Sequence, residues 1–436
     1  MSGTARSFLL QPGGRLRGSI QVPGDKSISH RAVMFGALAQ GRTRVTGFLD
    51  GADCLATLNA FTAMGAQAQR DGTRIEIQGC GLHGLRAPAQ PLDLGNSGTS
   101  MRLMAGLMAG QRFATSLVGD ASLSRRPMGR VVLPLRSMGA VIEANDGDRA
   151  PLNISPSDGL RGINYESPVA SAQVKSALLL AGLYAEGRTQ VIEPAASRDH
   201  TERMLRAFGV TVDSSTGAAA LVGGQALQAR DISVPADISS AAFYLVGAAI
   251  SPGSELLIRN VGVNPTRTGV IEILRLMGAE IELLDPREFG DEPVADLGVR
   301  GADLQGIDVP PEFVASAIDE FPAIFVAAAC AQGQTRVTGA EELRVKESDR
   351  ISSMVDGLRL LGVDCEATED GAVIQGGPIS GGRIDSHGDH RVAMSFAMAA
   401  LRASGPIRID DCANVDTSFP GFAALAAGVG LQIKEQ

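Results

Sequence analysis

The sequence predicts an α/β protein in which one unit of about 70 residues occurs six times, grouped as two lobes of three units. Helical stretches and short β-branched stretches alternate along the chain, which is typical of βαβ units. One hydrophobic core stops growing near about 250 to 300 residues, so a chain of 436 residues divides into lobes. A glycine ends the second helix of each unit, with spacings of 74, 70, 69, 84 and 68 residues: Gly65, Gly139, Gly209, Gly278, Gly362 and Gly430.

The first unit shows the order of elements most clearly. Residues 27–39 have a helical composition, and Gly41 ends that helix. Residues 42–48 are rich in β-branched side chains and predict a strand, and residues 53–64 predict a second helix that Gly65 caps. The corresponding junctions between first helix and strand in the other units fall at residues 110–118, 187–193, 253–260, 333–339 and 405–411.

The position of the break between units three and four sets the predicted lobe boundaries. Residues 23–235 form one lobe, and residues 1–22 together with 236–436 form the other, which is therefore discontinuous. The chain would cross between the lobes near residues 22–25 and again near 234–237.

Composition excludes several classes of protein. The net charge of −9 argues against nucleic-acid binding, which requires a broad basic face. The five cysteines are scattered and never form a C-x-x-C pair, so neither a disulfide framework nor a structural zinc site is predicted. The longest apolar stretch, residues 241–250, is about half of a membrane span. Residues 1–6 lack the apolar region of a signal peptide, so we expect a cytoplasmic protein.

Three motifs are considered and rejected. Residues 79–84 match G-x-G-x-x-G, but Pro88 and Pro91 follow, so no helix opens there to hold a pyrophosphate. Residues 24–27 resemble the end of a P-loop but lack its glycine spacing. His387 and His390 have no third histidine nearby, so no metal site is predicted.

Polar residues concentrate immediately before the predicted helices, where free backbone N–H groups favour anions. Ser27 and Arg31 are four residues apart and share a helix face, and Lys346 and Arg350 have the same spacing. Asp319 and Glu347 are the candidate acid and base carboxylates. The alternatives are a surface lysine at position 26, a solvated salt-bridge run at 344–350, and an N-cap at Asp319. The candidate anion ligands are Lys26, Arg31, Arg126, Arg198, Lys346, Arg350 and Arg391.

The whole chain resembles the enolpyruvyl transferase family, and within it the branch whose acceptor is shikimate 3-phosphate. Five segments carry the resemblance: residues 23–31, 94–102, 171–173, 344–350 and 389–391. The resemblance implies two lobes, each of three βαβαββ units in an inside-out α/β barrel, joined by two crossover strands and closing over the substrates. It also implies transfer of the enolpyruvyl group of phosphoenolpyruvate to the 5-hydroxyl of shikimate 3-phosphate in the shikimate pathway. The tetrahedral intermediate then releases phosphate, and neither a metal nor an organic cofactor takes part.

The resemblance assigns roles to individual residues. Asp319 would take the hydroxyl proton, Glu347 would protonate the methylene carbon, and Lys26 would share in these proton transfers. Shikimate 3-phosphate would be bound by Lys26, Ser27, Arg31, Ser171, Ala172, Gln173, Arg198, Asp319 and Lys346. Phosphoenolpyruvate would be bound by Lys26, Asn96, Gly98, Arg126, Gln173, Arg350 and Arg391.

Departures from the family pattern resemble its second class, which includes members that tolerate the phosphoenolpyruvate-site inhibitor glyphosate. Ala172 stands where a hydroxyl residue is common, and Leu103 where many members have proline. Gly98, however, lacks the methyl group that crowds the inhibitor in tolerant relatives. We therefore expect glyphosate to inhibit this protein at least partly.

Two other functions remain open from the sequence. A sister enzyme transfers enolpyruvate to UDP-N-acetylglucosamine, but it has a reactive cysteine before its Arg-Pro pair, and residues 119–127 contain none. A noncatalytic anion-binding protein on the same scaffold would not need both Asp319 and Glu347. The remaining expectations are a monomer with small-molecule substrates and with neither nucleic-acid nor membrane partners.

Overall fold

The computed structural model describes residues 6–436, so residues 1–5, including most of the stretch used to exclude a signal peptide, lie outside the described residues. The described chain divides into two compact units. Unit 1 comprises residues 6–23, 235–288 and 293–436, and unit 2 comprises residues 24–234 and 289–292. No helix among the described residues is long and apolar enough to cross a membrane.

Helices and strands alternate throughout the described chain. The α-helices are α1 (Lys26–Leu38), α2 (Ala52–Ala63), α3 (Gly98–Ala109), α4 (Ala121–Arg125), α5 (Gly129–Ser137), α6 (Ala172–Gly182), α7 (His200–Ala207), α8 (Ile238–Ile250), α9 (Gly269–Leu276), α10 (Pro311–Ala317), α11 (Phe321–Cys330), α12 (Arg350–Leu360), α13 (His390–Ala399) and α14 (Phe422–Gly428). Two 3₁₀ turns span Glu341–Val345 and Ala413–Thr417.

The strands are short, and most have fewer than eight residues. They are β1 (Phe8–Leu10), β2 (Arg17–Ile20), β3 (Gln40–Thr46), β4 (Gln67–Asp71), β5 (Arg74–Cys80), β6 (Leu92–Asp93), β7 (Thr115–Val118), β8 (Val141–Asn145), β9 (Arg149–Ser155), β10 (Asn164–Glu166), β11 (Arg188–Ile192), β12 (Val212–Ser215), β13 (Ala218–Val222), β14 (Ile232–Ser233), β15 (Glu255–Gly262), β16 (Glu280–Phe289), β17 (Glu292–Arg300), β18 (Gln334–Val337), β19 (Cys365–Ala367), β20 (Ala372–Gln375), β21 (Gly382–Asp385), β22 (Ile407–Asp410) and β23 (Ile433–Glu435).

Within the described residues each unit contains three small sheets. Those of unit 2 have the strand orders β14-β3-β5-β4, β6-β7-β9-β8 and β10-β11-β13-β12. In each of them the first pair is parallel and the remaining pairs are antiparallel. Those of unit 1 have the orders β16-β17-β15-β2, β18-β20-β19 and β21-β22-β1-β23. The predicted repetition of one mixed α/β unit is therefore confirmed at the level of the sheets.

The first helix of each repeated unit is buried, and small residues allow these helices to approach closely. All 13 residues of α8 are buried. Between α3 and α6, a Cβ atom added at Gly106 would lie 2.1 Å from the carbonyl oxygen of Ala177, so only glycine fits there. Close helix packing of this kind explains why alanine and glycine are frequent in these buried helices, beside the larger apolar residues of the cores.

The second helix of each unit ends in the same way. In all six cases the glycine after the C-cap has a positive φ, between 84° and 115°. The next residue donates its N–H to a carbonyl five residues earlier, as Ala66 does to Phe61 at 3.0 Å. This is the Schellman motif, so the six glycine positions predicted as helix stops are confirmed.

Candidate active site

The candidate site residues lie in two groups, one in each unit, and each group is described by itself. In unit 2 the group lies at the N-terminal ends of α1, α3 and α6. Each of these helices has a side-chain cap: Asp25 accepts from Ile28 N at 2.8 Å, Ser97 from Ser100 N at 3.2 Å, and Ser171 from Val174 N at 3.4 Å. Helix N-termini present free N–H groups to anions.

Lys26 is the first residue of α1 and forms an ion pair with Asp53, which lies in the first turn of α2. The lysine side chain is 23% exposed and that of Asp53 is 8% exposed. Lys26 is thus partly withdrawn from solvent, which favours the functional interpretation over that of an ordinary surface lysine. Asp53 is not among the residues predicted from the sequence.

Arg31 is buried on the inner face of α1, and hydrogen bonds orient its whole guanidinium group. Nη1 donates to the carbonyl oxygen of Ser27 at 2.9 Å, which confirms that Ser27 and Arg31 share one face of a helix. Nε donates to Oγ1 of Thr201 at 2.7 Å, and Nη2 donates to Oγ of Ser176 at 2.9 Å. Burial lowers the pKa of Arg31 to about 10, opposed mainly by the nearby carboxylate of Glu202, so the side chain is charged at neutral pH.

The loop before α3 orients Arg126. Nη2 of Arg126 donates to Oδ1 of Asn96 at 2.5 Å, and Nδ2 of Asn96 donates to Oδ2 of Asp120 at 2.7 Å. Gly98 is the first residue of α3, and a Cβ atom added there would lie 3.1 Å from Nη1 of Arg102 and 3.3 Å from Nη1 of Arg126. The absence of a side chain at Gly98 therefore leaves room for these two guanidinium groups.

The start of α6 is joined to the start of α3 through Gln173. Its Oε1 atom accepts from Nη1 of Arg102 at 2.6 Å, and its Nε2 atom donates to Oγ1 of Thr99 at 3.0 Å. Arg102 is not among the site residues predicted from the sequence, although it lies in a segment that carried the resemblance. Ala172 and Ser171 precede Gln173, and Arg198 lies half-buried two residues before α7.

In unit 1 the group centres on Arg350, the first residue of α12, whose side chain is only 1% exposed. Nη2 donates to Oε2 of Glu347 at 2.6 Å, and Nη1 donates to Oδ1 of Asp319 at 3.3 Å. Nε donates to Oδ2 of Asp389 at 2.8 Å. Burial disfavours the charged guanidinium, but Asp389, Glu347 and Asp319 outweigh that effect and raise the pKa of Arg350. One cation thus contacts both candidate acid/base carboxylates.

Lys346 and Arg391 complete this group through Asp319. Nζ of Lys346 lies 3.2 Å from Oδ1 of Asp319, and Nη1 of Arg391 donates to the backbone oxygen of Asp319 at 2.9 Å. Oε1 of Glu320 lies 3.7 Å from Nη1 of Arg391. Asp319 therefore lies among three cations, two at its carboxylate and one at its carbonyl.

One helix end presents two cations and a carboxylate, as the spacing of residues 346–350 predicted. Arg350 is the first residue of α12, Asp349 is its N-cap, and Lys346 and Glu347 precede the helix. Lys346 and Arg350 meet at one oxygen of Asp319. The alternative interpretation of Asp319 as an N-cap fails, since Glu320 occupies that position before α11 without a side-chain cap hydrogen bond.

Among the described residues, no cluster of three or more histidine, cysteine or acidic side chains is arranged to hold a metal ion. Arginine and lysine side chains at helix N-termini, together with two carboxylates that contact one guanidinium group, are instead suited to bind polyanions and to transfer protons.

Comparisons with known proteins identify the family. A sequence profile of the family EPSP synthase (3-phosphoshikimate 1-carboxyvinyltransferase) matches residues 10–425. The 3-phosphoshikimate 1-carboxyvinyltransferase of Methylococcus capsulatus is 62% identical over 429 residues, covering 98% of each chain. That of Alkalilimnicola ehrlichii is 62% identical over 430 residues, covering 98% of this chain and 96% of the relative.

Solved structures give the same result for the fold. The structure of an EPSP synthase from Acinetobacter baumannii superimposes with a TM-score of 0.90 at 53% sequence identity, covering 99% of this chain and all of that one. The two-lobed enolpyruvyl transferase fold expected from the sequence is therefore confirmed. With the profile spanning most of the chain and relatives of this identity spanning nearly all of it, the chain belongs to the EPSP synthase (3-phosphoshikimate 1-carboxyvinyltransferase) family.

Proposed function

We propose that the chain transfers the enolpyruvyl group of phosphoenolpyruvate to the 5-hydroxyl of shikimate 3-phosphate and releases inorganic phosphate. This is the enolpyruvyl transfer step of the shikimate pathway, which leads to chorismate and the aromatic amino acids. Family membership supports it. The structural observation that carries it is the contact of Arg350 with both Glu347 and Asp319, at 2.6 and 3.3 Å, because the reaction needs one proton donor and one proton acceptor.

In unit 2, the buried guanidinium of Arg31 would bind the carboxylate of shikimate 3-phosphate together with Ser27. Hydrogen bonds to Thr201 and Ser176 already fix the orientation of the guanidinium group, so the side chain would lose little conformational entropy on binding. Ser171, Ala172, Gln173 and Arg198 would surround the phosphate at the N-terminus of α6, and Lys346 of unit 1 would add a further cation.

The phosphoenolpyruvate ligands would be cations held by neutral or acidic partners. Arg126, oriented by Asn96, would bind the substrate beside Gly98, with Lys26 and Gln173 contributing from the same unit. Arg350 and Arg391 would contribute from unit 1. Because negative charge moves toward the departing phosphate as C2 becomes tetrahedral, cations fixed in advance lower the barrier.

The proton transfers would be divided between the two carboxylates. Asp319 would accept the proton of the 5-hydroxyl as its oxygen attacks C2, and Glu347 would deliver a proton to the methylene carbon. The negative groups of bound substrate would favour protonation of a carboxylate beside them. Substrate binding would therefore prepare Glu347 to act as the acid, and Lys26 would share in these proton transfers.

A phosphate-release assay with two acceptors tests the function. Release from phosphoenolpyruvate in the presence of shikimate 3-phosphate, but not of UDP-N-acetylglucosamine, is the expected result. Release with the sugar nucleotide alone would assign the chain to the sister activity. Binding of shikimate 3-phosphate without release in either case would favour a noncatalytic binding protein.

The location in the cytoplasm, the monomeric state, inhibition by glyphosate and the lobe boundaries near residues 22–25 and 234–237 stay proposals. Fractionation of cells and light scattering of the purified chain would check the first two. Inhibition titration would check the third.

A further inference from the structure

Behind the proposed phosphate ligands, unit 2 contains a buried cluster of three charged side chains that the proposed reaction does not use. Lys175 lies one turn into α6, and its side chain is only 5% exposed. Its Nζ atom is 3.0 Å from Oε2 of Glu193 and 2.9 Å from Oε1 of Glu202. The side chains of Glu193 and Glu202 are 0% and 3% exposed. We call Lys175, Glu193 and Glu202 the buried triad.

Glu193 connects the triad to two residues that adjoin the proposed phosphate site. Its Oε1 atom accepts from the backbone N–H of Ser171 at 2.6 Å, immediately before α6. Its Oε2 atom accepts from Oγ of Ser197 at 2.7 Å, and Ser197 immediately precedes Arg198. A single carboxylate thus fixes both the start of α6 and the segment that carries Arg198.

Lys175 holds that carboxylate in place. Besides its two ion pairs, Nζ lies 3.4 Å from the backbone oxygen of Ser197, so all three contacts of the ammonium group lie within residues 193–202. Burial disfavours the ammonium form, but Glu202 and Glu193 outweigh that effect and raise the pKa of Lys175, so the side chain is charged. It therefore cancels negative charge that would otherwise oppose a phosphate group nearby.

Glu202 connects the triad to the proposed carboxylate ligand. It follows Thr201, whose Oγ1 atom accepts from Nε of Arg31 and donates to Oγ of Ser176 at 2.7 Å. Ser176 follows Lys175 in α6. Two carboxylates, one ammonium and one guanidinium thus form a cluster with no net charge, and hydrogen bonds join its members to α1, α6 and α7.

A buried charge cluster is weak evidence for stability, because apolar side chains of similar volume often stabilise a fold as well or better. Apolar side chains could not fix the positions of Ser171 and Ser197, because the Ser171 N–H and the Ser197 O–H both need a hydrogen-bond acceptor. We infer that Lys175 and Glu193 are positioning residues, which hold Ser171 and the Arg198 segment where the phosphate of shikimate 3-phosphate binds. Glu202 completes the cluster by retaining Lys175. This inference rests on the proposed function.

Calorimetric titration with shikimate 3-phosphate tests the inference in two variants. Glu193→Ala removes the acceptor of Ser171 and Ser197, and Lys175→Met releases Glu193. We expect about tenfold weaker binding in each, with the KM for phosphoenolpyruvate changed by no more than about twofold. Lys175→Arg keeps the charge and the ion pairs, and we expect it to retain binding within about threefold of the wild type.

Tyr184→Phe is the matched control, because Tyr184 lies just beyond the opposite end of α6 and accepts a hydrogen bond from Gln111 at 2.9 Å. It removes a hydrogen-bonded, partly buried hydroxyl from the same unit without touching the triad. Binding by Tyr184→Phe should stay within about twofold of the wild type. Thermal unfolding of every variant identifies those that fold.

If folded Glu193→Ala bound shikimate 3-phosphate as tightly as the wild type or more tightly, the inference would be overturned. Loss of the hydrogen bonds to Ser171 and Ser197 would then not weaken binding. If Lys175→Met does not fold, the Glu193→Ala and Lys175→Arg results decide it alone. An equal rise in the KM for phosphoenolpyruvate would also overturn it, as general damage to the unit. The proposed function is tested separately, by whether the wild type releases phosphate with shikimate 3-phosphate.

Discussion

Arg350 and Asp389 form an ion pair in unit 1 that is almost completely withdrawn from solvent, with Nε and Oδ2 2.8 Å apart and side-chain exposures of 1% and 0%. Asp389 also caps α13 by accepting from the N–H of Arg391 at 2.9 Å, and its Oδ2 atom accepts from Oγ of Ser348 at 3.1 Å. A single carboxylate therefore fixes the positions of two of the proposed phosphoenolpyruvate ligands. Burial opposes the ionisation of Asp389, but Arg350 outweighs it and lowers the pKa of Asp389.

Replacement of Asp389 by asparagine should destabilise the protein in a pH-dependent way. The variant keeps a cap oxygen but leaves Arg350 without its most buried partner, and we expect a loss of about 3 kcal/mol at pH 7. The pKa of Asp389 in the folded protein lies below its ordinary value of 3.8, so the ion pair contributes its full stabilisation of the fold above pH 3.8. The stabilisation is lost as the pH falls through the folded pKa, so the difference between the proteins should shrink in acid.

Urea unfolding of both proteins at several pH values measures this difference. The control is Asp356→Asn on the exposed face of α12, where the carboxylate is 69% exposed and should contribute little. A difference between wild type and Asp389→Asn that stays constant down to the lowest pH at which both fold would contradict the pH dependence.

Removal of the Glu347 carboxylate should affect chemistry more than binding. We expect Glu347→Ala to lower kcat by about 10² to 10⁴ while still binding shikimate 3-phosphate, because its role would be proton delivery to carbon. Glu347→Gln preserves an oxygen for Arg350 and should be nearly as slow, which separates loss of the proton from loss of the contact at 2.6 Å. Normal turnover by either variant would show that another group delivers the proton.

Replacement of Gly98 by alanine should weaken inhibition by glyphosate. The added Cβ would lie 3.1 Å from Nη1 of Arg102 and 3.3 Å from Nη1 of Arg126, which is closer than ordinary contact. The guanidinium groups would have to shift, and we expect the inhibition constant of Gly98→Ala to rise by about tenfold or more, with a smaller rise in the KM for phosphoenolpyruvate. An inhibition titration with an unchanged constant would contradict this steric account.

Replacement of Gly65 and of Gly428 by alanine should have opposite effects on stability, because only Gly65 has a positive φ. Gly65 has φ of 95°, and an added Cβ would meet only the side chain of Arg86 at 3.7 Å, so the cost of Gly65→Ala is backbone strain of about 1 to 2 kcal/mol. Gly428 ends α14, and an added Cβ there would have nothing within 4 Å. Gly428→Ala should therefore be neutral or stabilise by up to about 1 kcal/mol.

Thermal and urea unfolding of the two variants measure these changes, and turnover should stay at the wild-type level in both. Equal stability of Gly65→Ala and the wild type would mean that the positive φ is not required at this helix end.

The repeated architecture could be predicted because each unit ends its second helix with the same local chemistry. The positive φ after the C-cap favours glycine at all six positions, whatever the tertiary contacts are, so each helix end can be recognised in the sequence. The first-unit elements were likewise predicted to within about two residues of their observed bounds. Gly51 lies immediately before α2, whereas Gly41, predicted to end the first helix, is the second residue of β3 and α1 ends earlier, at Leu38. Local signals of this kind do not depend on residues far away in the chain.

The partners of the site residues could not be predicted, because they are distant in sequence. Nothing local to Arg350 indicates Asp389, 39 positions later, and nothing local to Lys26 indicates Asp53. The spacing of Lys346 and Arg350 predicted that both lie at one helix end, but not that both contact Asp319, which is about 30 residues earlier. Lys175 did leave a signal in the sequence, as the one charged residue of α6.

The strand order of the sheets has a consequence for the making of the protein on the ribosome. Every sheet of unit 2 is complete once residue 234 has emerged, because its last strand is β14. The strand β1, near the very start of the chain, instead lies between β22 and β23, and β2 pairs with β15. The strands synthesised first therefore have no partner strand until more than 200 further residues have been translated. The strands of the unit 2 sheets are all synthesised before then, so these sheets can form before the two sheets of unit 1 that contain β1 and β2.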